Sequence, residues 1–307
     1  MTSTGTPAVT RTTATLIGFS AVALWALLAL FTVATAPVPP FQLNAMSFAI
    51  GGAVGLVWLG LTGGFGQLAR VSWRVYLFGT LGLFGYHAFY FTALRLAPPA
   101  EAGLIAYLWP LLIVLFSGLL PGEKLRAGHV IGAVVSLAGA ALILVGSLGG
   151  GLGGGGEGTL AGYGFAIACA LTWSGYSVLS RRLGATPTAS VAVFCLATAA
   201  LSGVAHLAFE DTVAPAGALG WAAVVGLGLG PVGLAFYTWD VGVKRGDIQL
   251  LGTASYAAPL LSTLALILAG MAEPRSTLFL AAALITLGAV TAARAGRADR
   301  KARSVSP

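Results

Sequence analysis

The sequence predicts an all-α integral membrane protein: ten transmembrane helices arranged as two inverted five-helix repeats around a central cavity. Three observations predict it. Of the 307 residues, 57% are hydrophobic and only 8% charged, which excludes an ordinary soluble domain. The chain repeats itself 149 residues apart: Gly103, Tyr107 and Pro110 return as Gly252, Tyr256 and Pro259, Gly79 as Gly228, and Gly139 as Gly288. Each repeat holds five apolar segments, an odd number, so the second half enters the bilayer from the opposite side. Inverted repeats of this kind are a common build of secondary transporters, because two mirrored halves can open toward either face.

A spanning helix needs roughly 20 predominantly apolar residues. Ten segments meet that length: 13–34, 41–62, 75–96, 99–120, 127–148, 159–181, 188–208, 218–241, 247–270 and 275–295. The first is as long as the rest and lacks a small-residue cleavage site, so it reads as a span and not as a removed signal peptide. Residues 13–148 form the first repeat and 159–295 the second. Between them, 149–158 belong to the run SLGGGLGGGGEG that starts at Ser147, read as a flexible linker. A phosphate-binding loop would need a preceding strand and a following GK[ST], and neither is present. Residues 296–307 form a basic tail expected to rest on anionic headgroups.

Charge placement tests this division. Fourteen of the sixteen Lys and Arg residues fall on the side shared by both termini, and only Arg95 and Arg275 on the other. That asymmetry puts both termini in the cytoplasm. It also makes the +7 net charge a sign of membrane anchoring and not of nucleic-acid binding. The 44 glycines let helix backbones approach closely where lipid supplies no hydrophobic drive for association. Cys169 and Cys195 lie inside apolar segments and read as reduced thiols.

Polar and aromatic residues at mid-membrane mark the candidate site, since such groups face protein or water and not lipid. The third span carries Tyr86, His87 and Tyr90. The sixth carries a stripe of Cys169, Trp173, Tyr176, Ser177 and Ser180 at spacings of three and four, which share a helical face. Trp25, Tyr107 and Trp109 are also central. The alternative for aromatic residues is the interfacial belt, which fits Trp58, Trp73, Tyr76 and Trp221 near segment ends. Pro110 and Pro259 are expected to kink the fourth and ninth spans at equivalent points. In the eighth span, GLGLGPVG supplies Gly230 and Pro231 as further hinges. Its glycine face at 226, 230 and 233 runs on through Tyr237 and Asp240 to Lys244, either lining a pathway or packing closely.

The ionisable residues sit away from mid-membrane. Glu101 and Asp247 begin helices, where the dipole favours carboxylates, and Asp240 and Lys244 are spaced for a salt bridge. No carboxylate is central, which argues for passive transport. His87 reads as a neutral histidine bonded to a hydroxyl, and His129 and His206 stand near helix ends. No spacing fits an enzyme nucleophile, a metal site or a cofactor.

The stretch FYFTALRLAPPAEAGLIAYLWPLLIVLFSGLLPGEKL, from Phe89 to Leu125, resembles the drug/metabolite transporter superfamily in its EamA-type branch. Its central proline is Pro110, and its Gly-Glu pair is Gly122 and Glu123. The second half echoes it through Ala254–Pro259 and Glu273–Pro274. The Tyr- and Trp-rich text is most similar to YddG-like amino-acid exporters, and it departs from the family at Trp25-Ala26. The resemblance implies a basket of spans 1, 3, 4, 6, 8 and 9 around the cavity, buttressed by spans 5 and 10. It further implies a bacterial inner-membrane exporter or facilitator of aromatic and other neutral amino acids, working by alternating access and as a monomer. The expected substrate-binding residues are Trp25, Tyr86, His87, Tyr90, Tyr107, Trp109, Trp173, Tyr176, Ser177, Tyr237, Ser255 and Tyr256. Aromatic faces would stack on the substrate and attract its ammonium. The alternatives are a carrier of drugs or other metabolites, and a membrane scaffold or receptor subunit that transports nothing.

Overall fold

The computed structural model describes residues 9–97, 99–147, 158–183, 185–270 and 276–305, and among them every regular element is helical. The first half contains α1 (Arg11–Trp25), α2 (Leu28–Ala34), α3 (Pro40–Thr62), the short α4 (Phe65–Leu68), α5 (Trp73–Leu96), α6 (Pro99–Ala106), α7 (Trp109–Ser117) and α8 (Ala127–Ser147). The second half contains α9 (Thr159–Arg182), α10 (Ser190–Phe209), α11 (Gly217–Leu229), a π-helical turn (Gly230–Leu234), α12 (Ala235–Arg245), α13 (Ile248–Ala254), α14 (Ala257–Leu268) and α15 (Thr277–Val305). Among the described residues, five helical stretches are long and apolar enough to cross a membrane, and a sixth arises if α13 and α14, bent by 41°, count as one. The glycine-rich linker expected at 149–158 lies outside the described residues, apart from Gly158.

Three of the expected segments are interrupted. The first breaks after Trp25, the fourth at Tyr107-Leu108 and the ninth at Ser255-Tyr256. In the latter two the break precedes the proline and is not centred on it. Proline lacks an N–H and its ring presses on the carbonyl four residues earlier, which is Ala106 for Pro110 and Ser255 for Pro259. Each proline therefore ends the helix before it and sits comfortably in the first turn of the helix after it. The last helix continues past 295, where the tenth segment was expected to end, into the basic tail. The helix runs on without a stop to Val305, over an Ala- and Arg-rich sequence of strong helix formers.

Four pairings organise the bundle: α8 lies along α15, α3 along α10, α5 along α9 and α1 along α12. Glycines set the close ones. A Cβ on Gly18 would stand 3.0 Å from the Gly242 Cα, so α1 and α12 cross backbone to backbone. At Gly288 a Cβ would strike Ser136 and the Gly132 carbonyl, and at Gly139 it would stand 2.9 Å from the Ala281 carbonyl. The outer faces carry exposed Val57, Leu61, Leu207, Leu268 and Phe279, an apolar surface that suits lipid and not water. Trp58, Trp73 and Trp221 are exposed near helix ends, as belt residues are. Tyr76, near the start of α5, is half-buried, and its hydroxyl donates to the Leu68 carbonyl at 2.8 Å and ties α5 to α4.

Helix ends are closed by carboxylates from afar as well as nearby. Asp247 caps α13 by accepting the Leu250 N–H at 3.1 Å. Glu210, beyond the end of α10, accepts the Phe41 and Gln42 N–H groups at 3.0 Å each and so caps α3. His206 bonds the same carboxylate at 3.1 Å, and His129 accepts the Arg126 N–H at the start of α8. Both histidines thus serve helix ends.

The α8–α15 seam depends on the absence of a side chain at Gly288. Gly288→Val is expected to destabilise the protein by about 1–3 kcal/mol, the usual cost of overpacking, seen as a lower thermal midpoint in detergent. An unchanged midpoint would mean that the seam is looser than described.

Candidate functional site

The broken helices leave a cavity of about 240 Å³ at the centre of the bundle, slightly below the roughly 300–1,000 Å³ usual for small-molecule pockets. Its wall brings together Trp25, Tyr86, His87, Tyr107, Trp109 and Trp173, all expected from the sequence. The hinge residues Pro231 and Pro259 also line it. Leu28, Val232, Phe236, Ala258 and Ser262 complete the wall and were not anticipated. None of these lining residues is a carboxylate, a lysine or an arginine.

Aromatic packing fixes the wall. Trp25 on α1, Trp109 on α7, Trp173 on α9 and Trp239 on α12 form a tetrad, with every ring-to-ring separation between 5.0 and 6.3 Å. Trp25 is held by its indole N–H, which donates to the Pro231 carbonyl at 3.1 Å and ties α1 to the π turn. Trp239 lies beneath the wall, almost fully buried, and donates to the Ser177 hydroxyl at 3.0 Å. Ser177 therefore orients the floor of the site and is not part of the cavity wall.

His87 is half-buried, with Phe48 edge-on at 5.1 Å and Tyr86 beside it at the same separation. Its Nδ1 lies 2.7 Å from the Leu83 carbonyl. A carbonyl only accepts, so Nδ1 carries a proton, and in the neutral ring Nε2 then keeps its lone pair. The partner is a backbone carbonyl and not the hydroxyl expected from sequence. Tyr90 lies one turn beyond, its ring parallel to Tyr86 at 6.2 Å and outside the cavity wall.

Four further expected residues also stand behind the wall. Tyr176 stacks on Phe78 at 5.6 Å, in space left by Gly82, and supports Trp173 from 5.4 Å. Tyr237 turns away toward α3, where its hydroxyl donates to the Gly51 carbonyl at 3.0 Å. Ser255 donates to the Leu251 carbonyl of its own helix. Tyr256 is fully buried.

Tyr256 and its repeat mate Tyr107 occupy the breaks of the ninth and fourth segments, rings 6.0 Å apart. Each reaches into the other's gap. The Tyr107 hydroxyl donates to the Ser255 carbonyl at 3.3 Å, the acceptor that Pro259 cannot serve. The Tyr256 hydroxyl accepts the Leu111 N–H at 3.0 Å, a donor left unpaired at the start of α7.

The end of the bundle that carries Arg11 is closed by ion pairs. Arg181, at the end of α9, meets Glu123 at 2.6 Å and donates to the Val243 and Gly246 carbonyls at 3.0 and 2.7 Å. Arg11 reaches Glu123 at 3.4 Å and Asp247 at 3.6 Å. Gly122, at φ 79°, makes the turn that aims Glu123 inward, which gives the Gly-Glu pair of the sequence a physical role. Alongside, Lys244 and Asp240 form the expected pair at 2.8 Å, with both side chains buried and Thr188 bonded to the same carboxylate.

Apolar helices interrupted around a central cavity walled by aromatic rings are the build of a multi-pass membrane transporter. Residues 12–145 and 160–294 each match the EamA-like transporter family, and the chain belongs to that family. It is similar to the aromatic amino acid exporter YddG of Ancylobacter novellus, 59% identical over 92% of this chain and 97% of that protein. It is also similar to the exporters of that name from Escherichia coli K12, at 27% identity over 91% of this chain and 96% of that one, and from Salmonella typhimurium, at 26% over 81% and 86%. A solved crystal structure with 56% identity superposes with a TM-score of 0.86 and covers 92% of this chain and 98% of the other.

Tyr256→Phe keeps the ring and leaves the Leu111 N–H without its acceptor, at a cost of about 1–3 kcal/mol. The expected outcome is a lower thermal midpoint together with faster amide exchange at Leu111. Exchange at the wild-type rate would show that another group takes over the bond.

Proposed function

We propose that this protein facilitates the export of aromatic and other neutral amino acids across a bacterial inner membrane by alternating access. In this reading it crosses the membrane ten times, in two inverted five-helix repeats over 13–148 and 159–295, with 149–158 as linker. Both termini and the basic tail face the cytoplasm, and one copy is the working unit. The relatives named as aromatic amino acid exporters support the substrate class.

The observation that carries the reading is the cavity itself, walled by indole, phenol and imidazole rings and lacking ionised groups. An amino acid is a zwitterion and needs no net charge from the protein. Its ammonium is attracted by the faces of Trp25, Trp109 and Trp173, and by the lone pair on His87 Nε2. Its carboxylate needs donors, which the Tyr86 hydroxyl and the indole N–H groups of Trp109 and Trp173 supply by residue type. An aromatic side chain then stacks within the same wall. Tyr176, Ser177, Tyr237, Ser255, Tyr256 and Tyr90 act from behind by holding these rings and the breaks in place. A carrier of cationic drugs would instead gain from a carboxylate in the wall.

Counterflow of radiolabelled phenylalanine, tryptophan, threonine and methionine in proteoliposomes tests the assignment. Saturable exchange independent of a pH gradient is expected, and absence of exchange for all four would overturn it. Trp173→Ala is expected to raise the KM for phenylalanine at least tenfold, equivalent to about 1.4 kcal/mol. An unchanged KM would remove Trp173 from the site.

A further inference from the structure

The 149-residue repeat relates glycines in pairs, and their surroundings can be compared. Gly139 and Gly288 are both packed, on opposite sides of the α8–α15 seam. Gly79 and Gly228 are both packed too, against Phe194 and Ile50. The third pair breaks this rule. A Cβ on Gly252 would stand 3.1 Å from the Pro110 carbonyl, 3.1 Å from Ile113 and 3.2 Å from Val114, so α13 is closed on α7. At Gly103 a Cβ would meet no described atom within 4 Å, and α6 has no comparable packing against α14.

We propose that Gly103 and Ser262 form the second gate of the carrier, open in this state and closed in the opposite-facing one. The proposal rests on the inverted-repeat, alternating-access reading given above. Exchanging the roles of the two repeats carries the closed contact onto the open one. Gly252 becomes Gly103, Pro110 becomes Pro259, and Ile113 becomes Ser262. Ser262 and Pro259 now line the cavity, as residues of an open gate must. The closed gate is the one bolted by ions, since Asp247 at the start of α13 and Glu123 beyond the end of α7 share Arg11, and Glu123 also binds Arg181. In the opposite state those bonds part, α13 leaves α7, and α6 seats on α14 with Gly103 against Ser262. The two symmetric glycine pairs stay packed throughout as fixed seams.

Cysteine chemistry on the full-length protein in nanodiscs tests the proposal, because both native cysteines are buried. Under copper phenanthroline, Ile113→Cys with Gly252→Cys is expected to bridge quickly, and Gly103→Cys with Ser262→Cys at least tenfold more slowly but to completion. Failure of the second pair to bridge, or bridging faster than the first, would overturn the proposal. A second measurement does not require a cysteine to fit the closed seam. Labelling of Ser262→Cys by a maleimide is expected to speed up in the Gly103→Val background, which holds the gate open, and to slow in Gly252→Val, which wedges the other one. Equal rates or reversed signs would be fatal. Both measurements are made without any solute, so an error in the substrate assignment leaves them intact.

Discussion

A helix can be interrupted inside a bilayer only if something else takes up the hydrogen bonds it gives up, because hydrocarbon offers no water to do so. That constraint organises this molecule. The prolines at 110 and 259 end two helices at the level of the cavity, and the freed backbone groups are met by phenols from the opposite repeat. The gaps are therefore joined to each other. Because Tyr107 stands at one gap and Trp109 opens the helix after it, the same bonds that make the break tolerable also set the cavity wall.

A second interruption, the π turn at Gly230–Leu234, extends the logic to α1 through the bond from Trp25 to the Pro231 carbonyl. Three elements that could not pack as straight cylinders are thus pinned by aromatic side chains acting as backbone partners. The charged residues do a different task, holding α1, α9, α13 and the turn after α7 together at one end. Both tasks use groups that are costly to leave unpaired away from water, so each bond gives strong positional control.

The sequence made the helical class, the repeat and six of the wall residues legible, because composition, period and depth are local properties. Residues 25, 86, 87, 107, 109 and 173 were found by being aromatic or polar where lipid would not tolerate them. The eighth segment left two roles open for its glycine face, and the face from Gly233 to Tyr237 takes the second: both residues meet Gly51 of α3 and pack closely. Phe236, one position earlier, meets the cavity instead. The partners of Glu123 and Glu210 were hidden by distance, Arg181 being 58 residues from the first and Phe41 169 from the second. Spacing arguments do not reach so far. The positions of the breaks were offset by one turn, because a proline acts on the carbonyl four residues behind it.

The tryptophan tetrad has an optical consequence. Four indoles with ring centres 5.0 to 6.3 Å apart are close enough for their excited states to interact strongly. Their absorption and emission then belong to the group and not to any single ring. A swing of α7 against α12 changes the ring separations and with them that shared signal. The protein thus carries at its centre an unlabelled optical reporter of how α1, α7, α9 and α12 pack.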